Sequence, residues 1–166
     1  MKKIQLLQFI TVFGLVFLSG CSNNDAQNQF EAQAYSTPFN VTETDFQGNV
    51  VRLDSDDWRI SPIYLNLIAV EPVYPNPVLY GNDLVMEVYV NSTPISSIIQ
   101  VYYFNQINSN PIFLQSENII DDFDILTVQI STQQFGSTGE IARGIHRILL
   151  FDGSQRMITY GDILIE

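Results

Sequence analysis

After Lys2 and Lys3 the chain contains no lysine at all. It has one cysteine, Cys21, one histidine, His146, and one tryptophan, Trp58. A single thiol excludes a disulfide within the chain. A single histidine excludes a histidine-built metal site, which needs several such ligands. A Ser-His-Asp arrangement stays arithmetically open, because serine and aspartate abound, but no G-x-S-x-G elbow is present. With the two lysines confined to the start, residues 21–166 set five arginines against all 18 acidic residues, a formal net charge of −13. Such a surface repels nucleic acid and anionic lipid, so a nucleic-acid partner is excluded. After residue 18 there is no further long apolar run.

The start has a pattern of its own. Met1-Lys2-Lys3 is basic, and residues 4–18 are apolar except for Gln5, Gln8, Thr11 and Gly14. These are the basic and apolar regions of an export signal. The run is shorter than the roughly 20 apolar residues that span a bilayer. Leu18-Ser19-Gly20-Cys21 resembles the bacterial lipobox. The resemblance implies a signal helix over residues 1–20, cleavage before Cys21 and acylation of its thiol. Several acyl chains on one residue would hold the protein firmly, at about 0.8 kcal/mol per buried methylene. Ser22, rather than aspartate, follows the cysteine, which by the same resemblance implies the outer membrane of a Gram-negative cell, with the periplasmic or external face left open.

Residues 21–33 are polar and rich in Asn and Gln, and read as a flexible tether. Residues 34–166 have the length and apolar content of one domain. Within 34–68, a hairpin is expected from 39–43 and 50–53 around Gln47-Gly48-Asn49. Prolines and Gly81-Asn82-Asp83 make 71–83 an extended loop. Strands are then expected at 84–90, 98–104, 112–114, 125–130, 144–151 and 157–165, with a long connection over 133–143. No stretch after residue 20 keeps a 3.6-residue period. The spacing predicts an all-β antiparallel sandwich of about seven to nine strands. In the last strand Ile163 and Ile165 are expected to face the core, with Met157, Thr159 and Gly161 beside them. The chain end should be pinned by that strand.

Tyr74-Pro75-Asn76-Pro77 ahead of a strand resembles the opening of the C-terminal sorting domain of the type IX secretion system of Bacteroidota. Further along, 98–104 (IIQVYYF), Gly144-Ile145-His146 and the final strand stand in the order of that family's later strands. The resemblance covers residues 69–166 and implies an Ig-like sandwich. His146 replaces the family's tyrosine, and the chain end is acidic where the family's is basic.

Two acidic clusters carry the candidate chemistry: Asp54-Ser55-Asp56-Asp57, and Asp121-Asp122-Phe123-Asp124. Oxygen ligands at alternate positions suit calcium, so Asp54, Asp56 and Asp57 are the candidates for a weak site. Neither loop has the Gly and distal Glu of an EF-hand. Trp58 beside these carboxylates is either a sugar-binding platform or the anchor of a sandwich core. His146 is expected to be structural or at the surface. Six tyrosines between Tyr64 and Tyr103 suit an interface or ordinary strands. The expected protein is a lipid-anchored, non-catalytic binding or accessory module of a bacterial outer membrane, its partner an outer-membrane protein or a glycan. The alternatives are a sorting-type or secretion-associated domain, and a hydrolase.

Overall fold

The computed structural model describes residues 22–92, 97–104, 110–120, 123 and 125–166. Cys21 and Asp121, Asp122 and Asp124 lie outside them. The fold is mostly β. Its elements are helix α1 (Ser22–Ala34), strands β1 (Glu43–Thr44), β2 (Val50–Arg52), β3 (Ile68–Val70), β4 (Asp83–Val90), β5 (Ile98–Phe104), β6 (Ile112–Asn118) and β7 (Ile125–Ser131), the short helix α2 (Gly139–Ala142), and strands β8 (Gly144–Asp152) and β9 (Met157–Ile165). All strand pairings are antiparallel. They form a two-stranded sheet β1-β2, a three-stranded sheet β3-β4-β7 and a four-stranded sheet β6-β5-β8-β9.

Alternation in β4 places Leu84, Met86, Val88 and Val90 on one buried face. They share a core with Val128 and Ile130 of β7, Ile99 and Val101 of β5, Ile148 and Leu150 of β8, and Ile163 and Ile165 of β9. The two larger sheets therefore pack as the layers of a β-sandwich. Ile163 and Ile165 are fully buried, as the sequence predicts. Met157 is not beside them. The β8–β9 register shifts between Leu150 and Phe151, pairing Leu150 with Thr159 and Phe151 with Met157. Ile158 is the extra residue of this bulge. It joins the inter-sheet core, while Met157 turns to the outer face.

That outer face is covered by α1. Residues 22–34, where composition predicts a tether, form a helix whose Phe30 and Ala34 pack on Leu149, Phe151, Met157 and Tyr160. Phe30 and Ala34 are four residues apart and so share one helix face. Burial of a phenylalanine is worth roughly 1.5–3 kcal/mol, enough to hold an otherwise polar helix to the sheet. With α1 outside and the core inside, β8 and β9 are buried on both faces.

The free edge of β9 is also closed. Trp58 N donates to Tyr160 O at 2.7 Å and Ser61 N to Ile158 O at 2.8 Å. Further along, Val78 N donates to Leu164 O at 2.9 Å, and Tyr80 N to the Glu166 carbonyl at 3.0 Å. Between these segments side chains stand in for a strand. Asp57 Oδ1 accepts from Asp162 N at 2.8 Å. Asn76 accepts from Leu164 N at 2.9 Å and donates to Asp162 O at 3.0 Å. An open edge invites pairing with another chain; here the edge groups of Ile158, Tyr160, Asp162 and Leu164 are satisfied within the chain. Asn76 lies between two prolines, which offer no N–H, and its amide makes the contact instead.

Candidate functional site

The acidic loop after β2 begins as a turn. Asp57 N donates to Asp54 O, and Asp56 N to the Asp54 carboxylate, both at 3.3 Å. Trp58 then takes a left-handed backbone, with φ of 58°. The result is that Asp57 and Trp58 both enter the protein, where simple alternation would send one of them out. The Trp58 ring lies against Gly161, where a Cβ would sit 2.2 Å from Trp58 Cε2. Trp58 is 6% exposed and belongs to the inter-sheet core. The ring is enclosed in the core, in the position of a sandwich anchor, and a sugar would need a free ring face on which to stack.

Asp57 is buried as well, and its carboxylate receives Thr42 N and Asp162 N, each at 2.8 Å. Burial, with the Asp162 charge beside it, pushes its pKa up to about 7. Asp54 faces outward at a recess of about 260 Å³ lined also by Asn40, Val41, Arg52, Leu53 and Ser55. Arg52 is paired there with Glu43 at 2.8 Å. The Asp54 and Asp56 carboxyls share a hydrogen bond that holds Asp54 low and pushes Asp56 up, while Asp57 turns inward to Thr42 and Asp162, so the three do not converge. Among the described residues no group of three His, Cys, Asp or Glu is placed to hold a metal ion.

The residues that sequence reasoning missed are Arg147 and Asp162. Arg147 Nε and Nη2 donate to the two Asp162 carboxylate oxygens at 2.6 and 2.7 Å, with both side chains buried. Arg147 Nη1 then reaches the end of α1, donating to Gln33 O at 3.0 Å, Ala34 O at 3.2 Å and Ser36 O at 3.1 Å. A cation at a helix C-terminus satisfies carbonyls that have no partner within the helix. The guanidinium also lies over the Tyr160 ring, 4.9 Å from its centroid. Burial pushes Asp162 upward and Arg147 opposes that push. Loop 40–42, Asp57, Asp162, Arg147 and α1 are thereby tied in one buried chain. The available signal was an arginine inside an apolar strand (Arg147) with an aspartate inside its hairpin partner (Asp162).

His146 is 3% exposed, wedged edge-on against Tyr103 and Phe135. Its Nε2 lies 2.7 Å from Ala142 O, and burial lowers its pKa. The ring is an internal packing group, and its Nε2 hydrogen bond is to backbone. The tyrosines divide. Tyr64 is buried and donates to Asp152 at 2.5 Å. Tyr103 is buried under Phe135. Tyr74 and Tyr89 both donate to Glu87, at 3.0 and 2.6 Å.

Exposed apolar side chains are spread over the described surface, and two sets of them concern the site. One is around the β1–β2 hairpin, with Phe39, Phe46, Val51 and Leu53. The other is in the loops at one end of the sandwich, with Leu65, Ile120, Phe123 and Ile125. The chain matches no family model, no curated protein and no solved structure.

Proposed function

We propose that the chain is a lipid-anchored, non-catalytic binding or accessory module of a bacterial outer membrane, acylated at Cys21 and built on an Ig-like sandwich. The observation that carries this reading is the fate of the chemistry-bearing residues. Asp57, Trp58 and His146 are all buried in packing or backbone contacts, while large apolar side chains stand exposed in groups. Groups of that kind mark contact with partners or membranes. The Ig-like assignment is supported by strand order. If β3 is taken as A, the sheets read A-B-E and C′-C-F-G, the Greek-key connectivity of an Ig-type sandwich with the fourth strand moved to the second sheet.

A sorting-type domain is the second reading. It is favoured by Asn76 of the Tyr74–Pro77 motif, which is clamped directly to the last strand at Asp162 and Leu164. Motif and final strand thus form one unit, as a family defined by both would require.

The test is acylation and capture. The wild-type chain should incorporate labelled palmitate and fractionate with outer membranes, and Cys21→Ala should abolish the label and leave precursor. Cross-linking in native membranes, followed by purification of the acylated protein, should recover an outer-membrane protein or glycan. Unchanged labelling in Cys21→Ala would overturn the anchor.

A further inference from the structure

The start of α1 and the exposed apolar loops share one end of the sandwich. α1 runs parallel to β9. The carbonyls of Gln33 and Ala34 are held by Arg147 beside Asp162. One helical step earlier, Phe30 packs on Tyr160 with ring centroids 5.1 Å apart. Earlier still, Ala26 and Gln29 border Ile60 and Pro62, next to Ser61, which pairs with β9 at Ile158. The helix N-terminus therefore points towards the β8–β9 turn. Ser22 precedes Phe30 by eight residues, about 12 Å along the axis. From Tyr160 back to the turn is a similar distance, roughly 10–15 Å at a strand's rise per residue.

The loops around that turn are linked to it. Tyr64 bonds Asp152 at its edge. Leu67 N donates to Tyr64 O and Asn91 N to Leu67 O, which brings in the end of β4. Tyr89 near that end pairs with Ile125, the first residue of β7. Ile99 pairs with Asp152, and Ile119 N donates to Ser97 O. Leu65, Ile120, Phe123 and Ile125 thus belong to this end, and they are 58%, 81%, 80% and 57% exposed.

We infer that this end is a lipid-contact surface, with Leu65, Ile120, Phe123 and Ile125 seated in the headgroup region of the bilayer that holds Cys21. The inference rests on the acylation proposed above. Its occupant follows from where residues 1–21 join the fold. Cys21 directly precedes Ser22, the first residue of α1. A free 13-residue tether would let the domain wander on the order of 20 Å from the membrane. A helix fixed by Phe30 and Arg147 sets the acylated end level with the apolar loops instead. The lipid is zwitterionic. Phe123 stands between Asp122 and Asp124 in sequence, and the net charge after residue 20 is strongly negative, so anionic headgroups would repel this end.

The test uses the full-length acylated protein in vesicles of phosphatidylcholine and phosphatidylethanolamine. A polarity-sensitive dye is placed on one introduced thiol, in Phe123→Cys, in Leu65→Cys, or at the opposite end in Ile141→Cys, next to the start of β8. Mass analysis of each preparation establishes whether Cys21 is acylated. The dye in Phe123→Cys and in Leu65→Cys should shift to the blue and lose most of its emission to a quencher carried on the lipid chains. The dye in Ile141→Cys should do neither. Replacing part of the lipid with phosphatidylglycerol should weaken both effects. Acylated, vesicle-bound protein in which all three dyes report water overturns the lipid-contact surface and leaves the anchor standing. A chain with a free Cys21 that does not float with the vesicles removes both.

Discussion

Arg147 of β8 and Asp162 of β9 face each other across a strand pair, joined by two hydrogen bonds of 2.6 and 2.7 Å in a site closed to solvent. A buried pair is weak evidence of net stability, but removal of one partner is costly because the other charge stays behind. Arg147→Met is therefore expected to destabilise the domain by about 3–5 kcal/mol. Arg147→Met with Asp162→Leu should recover much of that loss. Urea denaturation of the three proteins measures this. Amide exchange adds a local readout, since α1 should lose protection when its carbonyl partner goes.

The Asp57 carboxyl is held high, at about 7, by burial and by the neighbouring Asp162 charge. Asp162 is the charged group that acts on it, and Asp162 in turn faces Arg147 and Asp54. A group whose pKa is raised on folding binds a proton more tightly in the native state. Its contribution is complete below the unfolded carboxylate pKa of about 4 and is lost as pH rises through the folded value near 7. The melting temperature should accordingly fall between pH 5 and pH 8. Asp57→Asn should flatten that fall, whatever its own stability at pH 5. An equal fall in both proteins would assign the effect elsewhere.

His146 should act in the opposite direction. Burial lowers its pKa, so the native state favours the neutral ring. Its contribution is present above the unfolded pKa of about 6.5 and is lost as pH falls through the lower folded value. In an Asp57→Asn background the acid side of the stability profile should therefore decline below about pH 6.5. His146→Gln in the same background should remove that decline.

The strands were legible because their sequences alternate. β4, β5, β7 and β9 fall within a residue of their expected bounds, and the β1–β2 hairpin is present though shorter. Its turn is closed by Asp45, which accepts from Gln47 N and Asn49 N at 2.9 Å around Gly48, φ 84°. β6 runs four residues beyond expectation because Gln115, Ser116, Glu117 and Asn118 lie on an edge strand, where both faces can be polar. α1 was hidden because only Phe30 and Ala34 mark its buried face in a run of Asn and Gln. The inward turn of Asp57 and Trp58 depends on one left-handed residue, and the Met157 reversal on one bulge. Neither leaves a mark in a hydrophobic pattern.

Gly161 is where Trp58 meets β9. A Cβ there would lie 2.2 Å from Trp58 Cε2, inside any permitted separation. Gly161→Ala is expected to cost about 1–3 kcal/mol through overpacking. Trp58→Phe alone leaves a cavity, but the double variant should be more stable than the two single losses add up to, because the smaller ring relieves the clash. Denaturation midpoints of the four proteins give the coupling. Strict additivity would place the strain of Gly161→Ala away from Trp58.

Deletion of 157–166 separates structure from address. β9 places Ile158, Ile163 and Ile165 in the inter-sheet core and Met157 and Tyr160 under α1. Each of these side chains is worth roughly 1.5–3 kcal/mol on burial, and together they rival the whole stability of a small domain, about 5–15 kcal/mol. Its removal would also strip partners from Trp58 N, Ser61 N and Val78 N and from the Asp57 and Asn76 side chains. The truncated domain should therefore lose its cooperative melt, while the proposed acylation at Cys21 should continue, because the proposed address lies in residues 1–21. Circular dichroism of the purified truncated chain and fractionation of the same chain in cells read the two outcomes independently. A truncated chain that melts like the intact protein yet fails to reach the outer membrane would show that the last strand is a detachable sorting signal rather than part of the core.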